Sequence, residues 1–225
     1  MNQSLSSLVV TPATTINEIL KAFIDSQSDL LIIDENSVVA DPHMELLTDY
    51  PRSASAALVA VEKNGDTLVR QNRIASASSA SHRVTIGNRK FVGVLRLSQK
   101  QRTEIIAALE NALTYKVLGN ALDLVLVALT RAMIKVDAAD VWAAPYARSA
   151  DKEERTRVRS SIEKLNMGRV RLSMANRAND GFFSVFFLRK FSKLLTWVAV
   201  KVGATPNQVT LISFAIGLYS AYSFS

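Results

Sequence analysis

"DLLIIDENSVVADPHMELL" (residues 29–47) joins a strand to a helix within one short span. Leu30 to Ile33 form an unbroken apolar run between two aspartates. Such a run marks a strand buried on both faces of an α/β sheet. "PHMELLTDY" then reads as a short helix with Pro42 near its first turn, where a missing N–H costs nothing. Upstream, "TTINEILKAFIDS" places Ile16, Ile19, Leu20 and Phe23 at helical spacing. Thr14 or Thr15 can cap that helix, with Glu18 three or four residues on.

Downstream, "AALVAVEKNGDTLVRQ" reads as strand, Asn64-Gly65 turn and strand, a hairpin signal. Ile74 to Ser81 is a run of small polar residues, read as a loop. "RKFVGVLRLS" is a further strand. "QKQRTEIIAALENALTYK" and "NALDLVLVALTRAMI" are helical, and "KVDAADVW" closes as a strand. Strands alternating with helices predict an α/β fold, a three-layer, mostly parallel sheet domain over residues 1–149. Residues 150–178 read as a charged linker helix with sparse apolar positions (Val158, Ile162, Leu165, Val170, Leu172).

The 225-residue chain contains no cysteine, which excludes a disulfide scaffold and thiolate zinc sites. Its net charge of +7 is unevenly placed. Between Lys152 and Lys201 twelve Lys/Arg face four Asp/Glu, and the rest of the chain is close to neutral. Such a segment suits phosphate or anionic lipid headgroups. The start, "MNQSLSSLVV", has no signal-peptide pattern. The two histidines, His43 and His82, are read as surface residues without metal-ligand spacing.

Residues 179–225 differ in character. In Phe182–Val202, Arg189, Lys193, Trp197 and Lys201 recur every four residues among Phe, Leu and Val. That pattern predicts an amphipathic juxtamembrane helix lying on a membrane surface. "GATPN" breaks it, and Val209 to Ser225 carries no charge. This run is short of the roughly 20 residues a spanning helix needs. It is expected to be the start of a transmembrane helix cut short at Ser225. The preceding cations then put the N-terminal domain in the cytoplasm, at the cell membrane.

"DGFFSVFFLRKFSKLLTWVAVKVGATPNQVTLISFAIGL" resembles the opening of the CDP-alcohol phosphotransferase family over about 45 residues, Asn179 to Tyr222. "DLLIIDENSVVADPHMELL" and "FVGVLRLS" resemble the sugar-phosphate nucleotidyltransferase-like domain that some of those proteins carry. The resemblance implies a parent enzyme that uses Mg2+ or Mn2+ and moves a substituted phosphate from a CDP-linked donor to an alcohol acceptor in phospholipid biosynthesis, releasing CMP. It implies membrane lipids as partners, no nucleic acid, and room for a homodimer through the membrane domain. By the same resemblance, Asn207, Arg189 and Lys193 are candidates for binding substrate. Asn207 is equally suited to capping the membrane helix, and the two cations to holding lipid. Asp34 and Asp41 are weak metal candidates.

Two departures limit the expectation. The family's Asp-Gly-x2-Ala-Arg signature is absent, so this chain by itself has no catalytic residue for that reaction and is expected to bind no metal. The first glycine is Gly65, so no phosphate-cradling loop precedes residue 29. The nucleotidyltransferase-like domain is therefore read as degenerate or N-terminally shortened. Two further readings stand beside this one: a non-catalytic membrane-anchored regulatory domain, and a soluble nucleotide-sugar binding module.

Overall fold

A computed structural model describes residues 5–50, 53–114 and 119–177. It divides the chain into two compact units, 1–171 and 172–225. All of the second unit after residue 177 lies outside the described residues, and with it fall the juxtamembrane helix, the transmembrane helix, Arg189, Lys193 and Asn207. Among the described residues, no helix is long and apolar enough to cross a membrane.

The first unit alternates in chain order β1 (Ser6–Val10), α1 (Ile16–Asp25), β2 (Leu30–Asp34), β3 (Ser37–Val38), α2 (Asp41–Asp49), β4 (Ser55–Val61), β5 (Thr67–Arg70), β6 (Arg73–Ala77), β7 (Arg89–Leu97), α3 (Arg102–Thr114), α4 (Ala121–Arg131), β8 (Val136–Val141), β9 (Ala147–Arg148) and α5 (Lys152–Glu163). A further helix, α6 (Met167–Arg177), runs across the boundary between the units.

Seven strands form one sheet in the order β1-β2-β7-β4-β8-β6-β5. The pairs β1–β2 and β4–β8 are parallel. β7 lies antiparallel between β2 and β4, and β6 and β5 are antiparallel as well. The sheet is therefore mixed rather than mostly parallel. The alternating helix and strand pattern marked β2, β4 and β8 but not β1, and it carries no signal for a central strand entering from the opposite side.

Ile19, Phe23, Ile105, Leu109, Leu122, Val125 and Leu129 of α1, α3 and α4 pack with Ala57, Val59, Phe91 and Leu95 on one face. Ala56, Leu58 and Ala60 alternate with these in β4 and are also buried. The other face is thus covered too, with α2 against β4 and β8 and α5 against β3 and β9. At about 25 cal/mol per Å² of apolar area, the wholly buried leucines, isoleucines and phenylalanines hold the layers together.

Several local readings change. Thr15, not Thr14, caps α1, and Glu18 returns the bond to the Thr15 N–H, completing a capping box. The Asn64-Gly65 turn does not close a hairpin, because β4 pairs with β7 and β8 while β5 pairs with β6. The hairpin turn is Gln71-Asn72, both at positive φ (49° and 59°), a conformation asparagine tolerates. Residues 74–77, read as loop, belong to β6 because Ile74 and Ala77 are buried. The charged helix is two helices: Leu165 N–H closes on the Ile162 carbonyl, and Asn166 then accepts from the Arg169 N–H to start α6.

Candidate functional site

Strands β1, β2, β4 and β8 all point the same way, so their C-terminal ends share one edge of the sheet. In open α/β sheets ligands favour the crevice outside the carboxyl ends of the parallel strands. Asp34 ends β2 at this edge and is only 3% exposed. Its Oδ1 accepts from Asn36 N–H at 3.0 Å. Its Oδ2 accepts from Asn120 Nδ2 at 3.0 Å and from Arg148 Nε and Nη2 at 3.0 and 2.9 Å. The other arm of Arg148 donates to Asp123 Oδ1 at 2.6 Å.

Each partner reaches this point for a local reason. Asn120 caps α4 by accepting from Leu122 N–H, which turns its amide toward Asp34. Asp123 sits in the first turn of α4, where the helix dipole favours a carboxylate. Arg148 is carried by the two-residue β3–β9 pairing, and its guanidinium lies 5.0 Å from the Phe91 ring centroid. β7 bulges beneath it between Phe91 and Leu95. Gly93 makes this fit at φ +83°: a Cβ there would stand 2.2 Å from Ser37 Oγ and 2.8 Å from Arg148 Nε. The bulge also presents the Val92 carbonyl to Ser37 Oγ at 2.7 Å.

Burial pushes the Asp123 carboxyl above its ordinary range, and the Arg148 charge pulls it back only in part. Burial lowers the Arg148 pKa, but Asp123 and Asp34 outweigh it and the net shift is upward. Arg148 is therefore a permanent cation held between two carboxylates. The shell of Asp34 consists of N–H donors. It does not fit a divalent ion, which takes oxygen ligands. Among the described residues, no three His, Cys, Asp or Glu side chains come together as a metal-ligand set. Asp41 stands apart from this lattice, exposed in the first turn of α2.

His43 is a correction: it is wholly buried, not a surface residue. Its Nε2–H bonds the Trp142 carbonyl at 2.8 Å, and burial lowers its pKa below 6.5. The apolar spacing of α2 turns His43 inward with Leu46 and Leu47. His82 is half-buried, its ring 3.4 Å from Ser76 Oγ.

Beyond the Arg148 lattice, the same edge opens into a cavity of about 450 Å3 just past β4. Its floor is the Gly65 turn, packed so closely on Gly87 that a Cβ on Gly87 would stand 1.8 Å from the Gly65 carbonyl oxygen. Asp66, Ser78, Arg83 and Thr85 face the opening. Asp66 Oδ1 accepts from Phe91 N–H and Thr67 Oγ1, both at 2.8 Å. Its Oδ2 has no hydrogen bond among the described residues. Arg83 is exposed and makes no ion pair among them. Burial first, and then the nearby carboxylates of Glu62 and Asp66, raise the Tyr146 pKa. An exposed guanidinium that lines one opening with a carboxylate and two hydroxyls suits a ligand with a phosphate and hydroxyl groups. A larger groove, about 510 Å3, runs past Gln101, Met133 and Lys135 near the N-terminal end of β8, away from this edge.

Sequence reasoning placed Asp34 on the right strand end. It missed Arg148, which reaches Asp34 across 114 residues of chain, and with it Asp123, Asp66 and Arg83. Only Asn120 left a readable mark, as a cap before an apolar run.

No family model matches the chain, and no curated protein matches it. The chain is similar to several solved structures. The inositol-1-phosphate CTP transferase from T. maritima aligns at 13% identity and TM-score 0.49, over 66% of this chain and 62% of that one. The UTP-bound UGPase from Acinetobacter baumannii aligns at 13% identity and TM-score 0.46, over 73% and 62%. The CTP:phosphocholine cytidylyltransferase from Streptococcus pneumoniae aligns at 9% identity and TM-score 0.45, over 67% and 64%. The matched part thus spans a little over three fifths of each of those proteins.

Proposed function

We propose that the described domain is a nucleotide-sugar or sugar-phosphate binding module that does not transfer a nucleotidyl group. The cavity past β4 carries this reading, with Arg83 for a phosphate and Asp66 Oδ2 for a hydroxyl. The internal cation supports the lack of transfer, because Arg148 already occupies the carboxylate of Asp34 that a metal would need. The test is calorimetric titration with CTP, UTP and a hexose 1-phosphate. Saturable binding that Arg83→Ala weakens tenfold or more supports the module. Flat titrations with all three ligands remove it.

A second reading is favoured by the sequence of residues 179–222, which lies outside the described residues. In it, the module is the cytoplasmic part of a membrane-bound CDP-alcohol phosphotransferase that transfers a substituted phosphate to an alcohol. An in-frame Asp-Gly-x2-Ala-Arg signature downstream, together with recovery of the protein in the membrane fraction, supports it. An immediate stop codon counts against it.

A further inference from the structure

The two edges of the main sheet are built differently. At one end β5 pairs with β6 and also touches β7 through Thr67 and Arg89, so the sheet curls back on itself. At the other end is β1, which among the described residues pairs only with β2. Ser6 N–H bonds the Asp29 carbonyl, and Glu35 N–H bonds the Val10 carbonyl. Ser6, Leu8 and Val10 therefore direct their backbone groups toward β2. Strand alternation turns the N–H and C=O of Ser7 and Val9 outward. Natural edges are blunted by lysine, proline, a bulge or a covering loop. "SSLVV" contains no charge and no proline, its register with β2 is unbroken, and Val9 is 59% exposed.

We propose that β1 pairs antiparallel with β1 of a second copy of this chain, about a dyad at Leu8. The backbone is self-complementary in that register. Ser7 faces Val9 of the other copy and Val9 faces its Ser7. Each pair exchanges two hydrogen bonds, so all four outward groups are satisfied. Leu8 then faces Leu8 in the close, non-hydrogen-bonded position. With no charge in β1, the symmetric approach meets no like-charge repulsion within the strand, whereas a charged peptide strand would find no complementary charge there. The pairing buries too little area for a tight dimer by itself.

Covalent capture tests this, because the native chain contains no cysteine. In the full chain, solubilised in mild detergent and gently oxidised, Leu8→Cys is expected to run mostly as a disulfide dimer, and not after prior denaturation. Leu8 packs partly against the core, so a second arm uses exposed positions. A mixture of Ser7→Cys and Val9→Cys chains is expected to give several-fold more covalent dimer than either variant alone. Two results overturn the pairing. One is monomer in both arms. The other is Ser7→Cys alone cross-linking as well as the mixture, which would place the contact in another register or on another surface.

Discussion

Arg148 grips Asp34 through two nitrogens at 3.0 and 2.9 Å, although 114 residues separate them. The contact ties the end of β2 to β9, and through Asp123 it also ties both to the start of α4. Arg148→Ala leaves the buried Asp34 carboxylate without its counter-ion. Breaking one side of a buried pair costs about 3–5 kcal/mol. Urea denaturation is expected to show a loss of that size. Arg148→Met, with similar bulk and no charge, should lose a comparable amount, which separates charge from packing. A loss below 1 kcal/mol in both variants would contradict the role given to this ion pair.

Gly93 provides the space that the guanidinium uses. Gly93→Ala meets Ser37 Oγ and the arm of Arg148, and it holds a side chain at φ +83°. The backbone strain alone costs about 1–3 kcal/mol. The melting temperature is expected to fall by more than it does for Gly168→Ala, where a Cβ meets only the Asn166 side chain at 3.1 Å. Equal shifts at the two positions would argue against a tight bulge under Arg148.

His43 makes stability depend on pH in one direction. Its folded pKa lies below the unfolded value of 6.5, because burial disfavours the charged ring. The unfolded chain therefore binds a proton first as pH falls. The stability held above 6.5 is lost progressively from there down to the folded pKa. Folding free energy measured from pH 8 to 5 is expected to decline more steeply in the native protein than in His43→Gln. Parallel curves would mean that His43 titrates alike in the folded and unfolded chains.

Thr15 and Glu18 close the N-terminus of α1 with side-chain groups. Thr15→Ala is expected to cost about 1 kcal/mol in chemical denaturation. The Glu18 pKa is lowered by the Thr15 N–H and then by the Thr15 hydroxyl. Its contribution is present above 4.5 and fades as pH falls through the folded value. The effect of Thr15→Ala should therefore shrink in acid. An effect that stays constant down to pH 3 would rule out the carboxylate's part in the cap.

Local periodicity was enough to mark α1, β2, α2, β7, α3, α4 and β8, because each carries its own buried stripe or apolar run. It narrowed the cap of α1 to Thr14 or Thr15 with Glu18 three or four residues on, and the structure chose Thr15. The Asn64-Gly65 pair misled for the same reason: a turn can be read locally, but the strand that will pair beyond it cannot. Only the tertiary structure inserted β7 between β2 and β4, turned His43 inward and made Ile74 part of a strand. It alone brought Arg148 to Asp34 and Asp123, and opened the cavity beside Asp66 and Arg83. These contacts join residues tens to more than a hundred positions apart. Their energy comes from burial and charge pairing after the chain has closed on itself, which no short window of sequence contains.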